Sequence, residues 1–328
     1  MLSTRNNKYN SDFNIYNKLS FLKKLSFKTT WQGISRTVSE ALFPSRCLVC
    51  EDFFPPPPKS EIRDIEDITF QNVMGAFICQ KCCCGFVPIE PPICCWCGIE
   101  IENYEDEICA KCHNTLNQFR KARMCGIYKP PKSSDVLKEE SLEEVINAVT
   151  SFKTSKFVEV LEDEALEKAI KALKYSEKTW LAKSLGMLLF STFVRYWDPK
   201  EIDLVMPVPL HARRLRERGF NQSYLLVRNW HRIAEKLNIN LSHIQIDTNT
   251  LIRHRETKPQ VSLEGKERKE NIKNAFRVIN PLKIQGKRIL LVDDVFTTGS
   301  TVIECAKVLS KAGAEYVDIL TLARTVKK

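Results

Sequence analysis

The stretch Ile289-Leu290-Leu291-Val292-Asp293-Asp294-Val295-Phe296-Thr297-Thr298-Gly299-Ser300-Thr301 decides how this chain is read. Its consecutive aliphatic residues predict a strand buried on both faces, the mark of a parallel sheet covered by helices. That strand ends in two adjacent acids and runs through a hydroxyl-rich turn into a helix. Gly299 allows the sharp turn. The amides of residues 298–301 face the positive end of the helix, and with the hydroxyls they form a cradle for one phosphate monoester. Asp293 and Asp294 then stand at the carboxyl end of a sheet strand, where open α/β folds take their ligands. Adjacent sugar hydroxyls are natural donors to them. A dinucleotide-binding reading fails, because no Gly-x-Gly-x-x-Gly accompanies a strand.

The sequence on either side fits the same sheet. β-branched runs at 204–208, 289–292 and 317–322 alternate with helical patterns at 221–237 and 301–312. Upstream, 165–175 and 180–197 read as helices, with Asp198-Pro199 as a stop signal. This order implies an α/β sandwich.

At 328 residues the chain has room for two domains, and its composition, 43% hydrophobic and 27% charged, excludes wholesale disorder. No apolar run approaches the ~18 residues needed to cross a bilayer, and the N-terminus lacks a signal-peptide pattern. A cytoplasmic protein is expected. The net charge of +10 is uneven, with 23 basic and 14 acidic residues in 201–328. Such a surplus favours phosphate-bearing ligands or nucleic acid, although solvated Lys and Arg produce the same count.

Eleven of the 13 cysteines lie between Cys47 and Cys112. Without an export signal, metal binding is a better account than disulfides. Four Cys-x-x-Cys pairs can be drawn: Cys47 with Cys50, Cys79 with Cys82, Cys94 with Cys97, and Cys109 with Cys112. Eight thiolates fill two tetrahedral Zn2+ sites, and the two-residue gap lets both sulfurs of a pair converge on one ion. Closed four-sulfur sites leave no position for water, so both ions are expected to be structural. The sequence leaves open whether Cys83, Cys84 or Cys95 replaces a neighbour, whether His113 substitutes for Cys112, and whether the pairs combine sequentially or interleave. The expected organisation is a basic N-terminal extension over 1–40, a Cys- and Pro-rich double zinc-ribbon domain over 41–130, a charged insertion or linker over 131–164, and an α/β domain over 165–328.

The stretch quoted first resembles the phosphoribosyl diphosphate (PRPP) binding motif of type I phosphoribosyltransferases. Two further segments narrow the resemblance: Val205-Met206-Pro207-Val208-Pro209-Leu210-His211-Ala212-Arg213-Arg214, running on to Gly219-Phe220-Asn221-Gln222-Ser223, and Arg255-Glu256-Thr257-Lys258-Pro259-Gln260. With the cysteine pairs in front and the ending Leu320-Thr321-Leu322-Ala323-Arg324, the chain resembles the ComF/GntX family of competence-associated phosphoribosyltransferase-like proteins. The resemblance implies a type I phosphoribosyltransferase fold, a parallel sheet flanked by helices, preceded by a small double zinc ribbon. It implies that Asp293 and Asp294 bind ribose hydroxyls, directly or through Mg2+, that Thr297, Thr298, Gly299, Ser300 and Thr301 hold the 5′-phosphate, and that Val295 belongs to the PRPP-binding set. In the same terms, a loop carrying Arg213 and Arg214 would neutralise the diphosphate, and Lys258 would lie in a loop closing over the site. Phe296 is bulkier than the aliphatic residue usual in the motif, a mild departure on the ribose side that leaves the cradle intact. Two functions follow: a Mg2+-dependent phosphoribosyltransferase linked to DNA uptake in natural competence, or a non-catalytic zinc-ribbon protein binding single-stranded nucleic acid. Expected partners are PRPP or a related ribose phosphate, single-stranded DNA, DNA-uptake proteins and a second copy of the chain.

Overall fold

The computed structural model describes residues 45–58, 60–101, 107–113, 118–129, 164–176, 178–257 and 265–325. The extension 1–40, nearly all of the segment 131–164, and Lys258 lie outside the described residues. Of the described residues, 45–46 with 52–55 belong to one compact unit, and those of 47–51 and 56–325 to a second. In the first, strands β1 (Ser45–Arg46) and β2 (Phe53–Phe54) pair antiparallel.

The second unit is built on a parallel sheet. Strands β3 (Ala122–Ile127), β4 (Leu204–Pro207), β5 (Gln245–Ile246), β8 (Arg288–Phe296) and β9 (Tyr316–Arg324) assemble in the order β3-β9-β8-β4-β5, every pair parallel. Strands β6 (Leu251–Arg253) and β7 (Phe276–Val278) form a separate antiparallel ribbon. Side chains alternate between faces along a strand. Ile289 and Leu291 of β8 accordingly join Met206, Val317 and Ile319 in one core, against Val302, Cys305, Ala306 and Leu309. Leu290, Val292, Leu320 and Leu322 are buried as well. The near-continuous apolar runs of the sequence reflect this two-sided burial.

Seven helices matter for the site. Helix α1 is Ala165–Tyr175, α2 Leu181–Tyr196, α3 Ala212–Arg218, α4 Gln222–Val227, α5 Trp230–Lys236, α6 Gly265–Ile272 and α7 Ser300–Lys311. Gly186 of α2 lies so close to α4 that a Cβ there would stand 2.4 Å from the Leu226 carbonyl oxygen. Phe193 of α2 stacks on Trp230 of α5, ring centroids 5.2 Å apart. No helix among the described residues is long and apolar enough to cross a membrane.

The α/β sandwich expected from the sequence is the observed architecture, with differences in detail. The strand predicted over 289–292 runs on through Phe296, so both aspartates are strand residues, with Asp293 opposite Thr321. The arginine-rich segment after β4 is a helix rather than a loop, since Ala, Arg, Leu and Glu are good helix formers and Gly219 ends it at φ 77°. The helix predicted over 221–237 is broken at Arg228 and Asn229 into α4 and α5. Finally, β3 falls in the stretch read as zinc ribbon, yet forms an edge of the sheet.

That edge is pinned by a buried acid. Asp318 of β9, fully buried, accepts the Arg120 guanidinium at 2.6 Å, the Trp197 indole N–H at 2.7 Å and the Lys121 amide at 3.1 Å. Asp318→Ala leaves an indole and an amide inside without an acceptor. We expect it to cost about 2–4 kcal/mol. Urea unfolding would register a lower midpoint, and an unchanged midpoint would show the network to be idle.

Candidate functional site

The cradle forms where β8 hands over to α7. Gly299 has φ 74° and ψ 0°, the left-handed conformation that glycine adopts without penalty. A Cβ there would lie 2.6 Å from Phe296 Cζ, so the turn excludes any other residue for two reasons. The Phe296 ring is buried in the core beneath the turn, with the Arg324 guanidinium 5.0 Å from its centroid. The ring therefore packs directly under Gly299. Thr298 and Ser300 hydroxyls lie 2.7 Å apart, and the Ser300 amide reaches the Thr298 hydroxyl at 3.4 Å. Thr297 and Val295 are half-buried beside them, and Thr301 occupies the first turn of α7.

Successive strand residues point to opposite faces, so the two aspartates are held by different elements. Asp293 Oδ1 accepts the Ser223 hydroxyl of α4 at 3.0 Å and the Asp294 amide at 2.9 Å. Asp294 is buried, and its Oδ1 pairs with Lys174 Nζ of α1 at 2.8 Å. Asp294 Oδ2 is buried without a hydrogen-bond partner among the described residues. Burial, then the charge of Asp294, pushes the Asp293 carboxyl up to about 7, against the pull of Lys174, the Asp294 amide and Ser223. Sequence reasoning missed Lys174 because its helix pattern gave no sign of which end meets the sheet.

Besides Lys174, Arg218 and Arg253 act on these acids. Arg213 is exposed and pairs with Glu217 and Glu256, both at 3.0 Å, and Arg214 lies 3.9 Å from Glu217. Two arginines stand deeper, Arg218 of the arginine-rich segment and Arg253, which the sequence did not single out. Arg218 donates to Gln222 Oε1 at 2.6 Å and lies over the Tyr175 ring at 5.4 Å. Burial and then Arg214 hold its guanidinium below the ordinary value, while Tyr175 and Asp294 oppose them. Arg253 bonds Thr257 and faces the Phe276 ring, and its Nε is buried without a partner among the described residues. Burial depresses it most, while Cys305 and Asp293 pull the other way. His211, bridged to Arg253, has a buried Nδ1 equally without a partner. The Arg253 Nε–H is thus a stranded donor near Asp293.

The cysteines gather into two groups, Cys47, Cys50, Cys79 and Cys82, and Cys94, Cys97, Cys109 and Cys112, each with its sulfurs within 4.8 Å of one another. Each group can hold a metal ion. The two repeat one design. Cys47 Sγ accepts the Cys79 amide at 3.3 Å, and Cys94 Sγ accepts the Cys109 amide at 3.4 Å. The residue after the second cysteine is left-handed in both, Glu51 at φ 65° and Gly98 at φ 64°. Burial raises both first thiols, but backbone donors outweigh it and bring Cys47 and Cys94 down to about 7. Cys83 stays outside the groups, its thiol donating to the Ile78 carbonyl, and burial lifts it to about 12. The second group is joined to the sheet edge: the Ala122 amide donates to the Trp96 carbonyl at 2.6 Å, Arg123 to that of Cys95 at 3.1 Å, and Arg324 to that of Cys97.

A family model described as phosphoribosyl transferase domain matches residues 233–328. The DNA utilization protein YhgH of Escherichia coli (strain K12) is 39% identical over 157 residues, 47% of this chain and 65% of that protein. Competence protein F of Haemophilus influenzae is 34% identical over 155 residues, 46% and 64% of the two chains. Competence protein ComFC of Bacillus subtilis is 33% identical over 136 residues, 41% and 50%. The chain thus spans somewhat less than two thirds of the length of the curated relatives it matches. Among solved structures, an allosteric regulatory enzyme of purine biosynthesis aligns with TM-score 0.26 and 19% identity over 43% of this chain and 25% of that one. A hypoxanthine phosphoribosyltransferase from Staphylococcus aureus aligns with TM-score 0.24 and 17% identity over 46% and 67%.

Proposed function

We propose that this ComF-family relative, with its phosphoribosyl transferase domain, binds PRPP together with Mg2+ and transfers the phosphoribosyl group to a nitrogen nucleophile. The observation that carries the reading is the handover from β8 to α7: two acids followed at once by a glycine-dependent turn into a helix, with one buried carboxylate oxygen lacking a partner. A phosphate fits the turn, and the sugar hydroxyls fit the acids.

The chemistry asks little of the side chains. The C1–O bond breaks with its electron pair leaving on the diphosphate, C1 becomes oxocarbenium-like, and the nitrogen lone pair closes the new bond. Arg218, Arg253 and the more exposed Arg213 and Arg214 stabilise the departing charge. Asp293 and Asp294 hold the ribose and would hold Mg2+, which when bound supplies further charge neutralisation. Zn2+ in the two cysteine groups stiffens the segment that covers the sheet edge. Free thiolates for eight ligands call for a reducing compartment, which favours the cytoplasm.

Calorimetry with PRPP and Mg2+ tests the reading. The wild-type chain should bind in the micromolar range, and Gly299→Val should bind about 100-fold more weakly, a loss of about 2.7 kcal/mol. No heat from the wild type would sink the proposal.

A second reading, the handling of single-stranded DNA in natural transformation, is favoured by the names of the relatives and by the basic excess of residues 201–328. Binding of an oligonucleotide should then weaken steeply between low and physiological salt, as counterion release requires. A flat response removes this reading.

A further inference from the structure

The motif Leu320-Thr321-Leu322-Ala323-Arg324 closes β9, and its last residue takes no part in the transfer chemistry. Arg324 is only 5% exposed, yet among the described residues no carboxylate pairs with it. A buried cation without an anion is costly. Its backbone is fixed on both sides: Arg324 lies opposite Phe296 of β8, its carbonyl accepts the Tyr128 amide at 2.7 Å, and the Thr325 amide donates to the Phe296 carbonyl at 3.0 Å. The guanidinium donates to the Cys97 carbonyl and lies 5.0 Å from the centre of the Phe296 ring. The negative charge it meets is that of the second cysteine group: burial holds the Cys97 thiol up, and the Arg324 charge opposes it. Four thiolates around one divalent ion leave a net negative charge, so a loaded group gains from a cation just outside its ligands.

The other side of Arg324 is the phosphate turn. A Cβ on Gly299 would stand 2.6 Å from Phe296 Cζ and 2.9 Å from its Cε1, so the ring touches the turn directly. At the far end, Cys97 is followed by Gly98, left-handed at φ 64° and pressed against β3, where a Cβ would lie 2.4 Å from the Ala122 carbonyl oxygen. The Cys97 carbonyl is thus placed by its own sulfur on one side and by β3 on the other. Carbonyl, guanidinium, ring and glycine form one packed file from the cysteine group to the turn. A close-packed interior passes a displacement along such a file.

We propose that Arg324 is a positioning residue with two ends: it neutralises the metal-loaded second cysteine group, and through Phe296 it seats the Gly299 turn, so that metal on the cysteines and phosphate in the turn strengthen each other. The inference rests on the ribose-phosphate reading above. The coupling is reciprocal, because each ligand favours the seated arginine. The first cysteine group meets the α/β core by another path, Lys168 Nζ of α1 to the Val49 carbonyl at 3.2 Å, and serves as the control.

The experiment is calorimetry of ribose 5-phosphate, with PRPP and Mg2+ alongside, and equilibrium zinc competition with a chelator. It is run on the full chain and on Cys97→Ser, Cys50→Ser, Arg324→Met and Arg324→Lys, with melting curves to verify folding. Cys97→Ser and Arg324→Met should each bind ribose 5-phosphate about 10-fold more weakly. Combined they should cost no more than either alone, whereas Cys50→Ser should act alike with or without Arg324. Saturating ribose 5-phosphate should raise the zinc affinity of wild type about 10-fold and leave that of Arg324→Met unchanged. Arg324→Lys keeps the charge but not the flat face against the ring, so it should restore zinc affinity and not sugar-phosphate affinity. Should Cys97→Ser fail to fold, the zinc competition on wild type and the arginine variants, which keep all eight ligands, decides alone. Sugar-phosphate affinity that survives Cys97→Ser, or wild-type zinc affinity that ignores ribose 5-phosphate, overturns the proposal while leaving the ribose-phosphate reading in place. A wild type that counts its zinc yet binds neither ribose 5-phosphate nor PRPP overturns that reading, and the coupling with it.

Discussion

Stripping metal from the two cysteine groups is expected to unfold the segment from Cys47 to Cys112 and to lower the melting temperature of the whole chain by tens of degrees. Four sulfurs within 4.8 Å are a costly arrangement without a cation. In each group the first thiol is drawn toward the thiolate by backbone donors, while burial pushes Cys82 and Cys112 far up. A divalent ion resolves the conflict, and structural Zn2+ contributes on the order of 10 kcal/mol per site, as much as the stability of a whole domain. The second group has little else to hold it, since its apolar packing amounts to Trp96, Ile99, Ile101 and Ile108 around the cysteines. The two groups should also fail differently. Loss at Cys94, Cys97, Cys109 and Cys112 removes the carbonyls that receive Ala122, Arg123 and Arg324, so it should loosen β3. Loss at the first group should loosen α1 through Val49. Metal analysis should count two zinc ions per chain, Cys97→Ser should lose one, and Cys84→Ser, at an exposed position outside both groups, should lose none. A chelated chain that melts at its original temperature would refute the metal reading.

The parts of this molecule that were legible in sequence are those whose partners are near in the chain. The β8 strand, its turn and α7 are contiguous, and each apolar residue, acid and glycine reports its own role. The cysteine pairs are legible for the same reason, each knuckle closing over two residues. What stayed hidden depends on long-range meetings. Lys174 and Asp294 are 120 residues apart, and nothing in Leu173-Lys174-Tyr175 distinguishes that lysine from the solvated ones beside it. Ser223 was visible as part of a motif, but its bond to Asp293 crosses 70 residues. Strand β3 carries Arg123, Cys125 and Gly126, a poor strand composition, and gains its place from β9 and from the Val87 carbonyl that receives the Ile127 amide. Gly126 is needed because a Cβ there would lie 2.6 Å from the Phe86 ring.

Replacing the aspartates separately should divide stability from binding. Asp293 has a folded value of about 7, well above the ~3.9 of an unfolded aspartate. The folded chain therefore binds the extra proton between those limits. The stabilisation this gives is fully present below about pH 4 and is lost as pH rises through about 7. At pH 8 the ionised group burdens the fold, and Asp293→Asn should raise stability by on the order of 1–3 kcal/mol, with less gain at pH 5. Asp294→Asn should do the reverse, because it leaves the largely buried Lys174 ammonium without its carboxylate. Ligand binding should collapse in both, since charge-assisted hydrogen bonds to the sugar contribute about 1.5–3 kcal/mol each, and the double variant should bind PRPP at least about 100-fold more weakly. Wild-type affinity should fall as pH drops below about 7, as Asp293 takes up its proton and ceases to accept freely. Calorimetric binding and thermal melts on the same samples read both effects. A chain that gained stability through Asp293→Asn yet kept its affinity would mean that the buried carboxylate serves no sugar. The acid pair sits where its charge is least comfortable, and only a ligand that brings hydroxyls or a cation to it makes that position favourable.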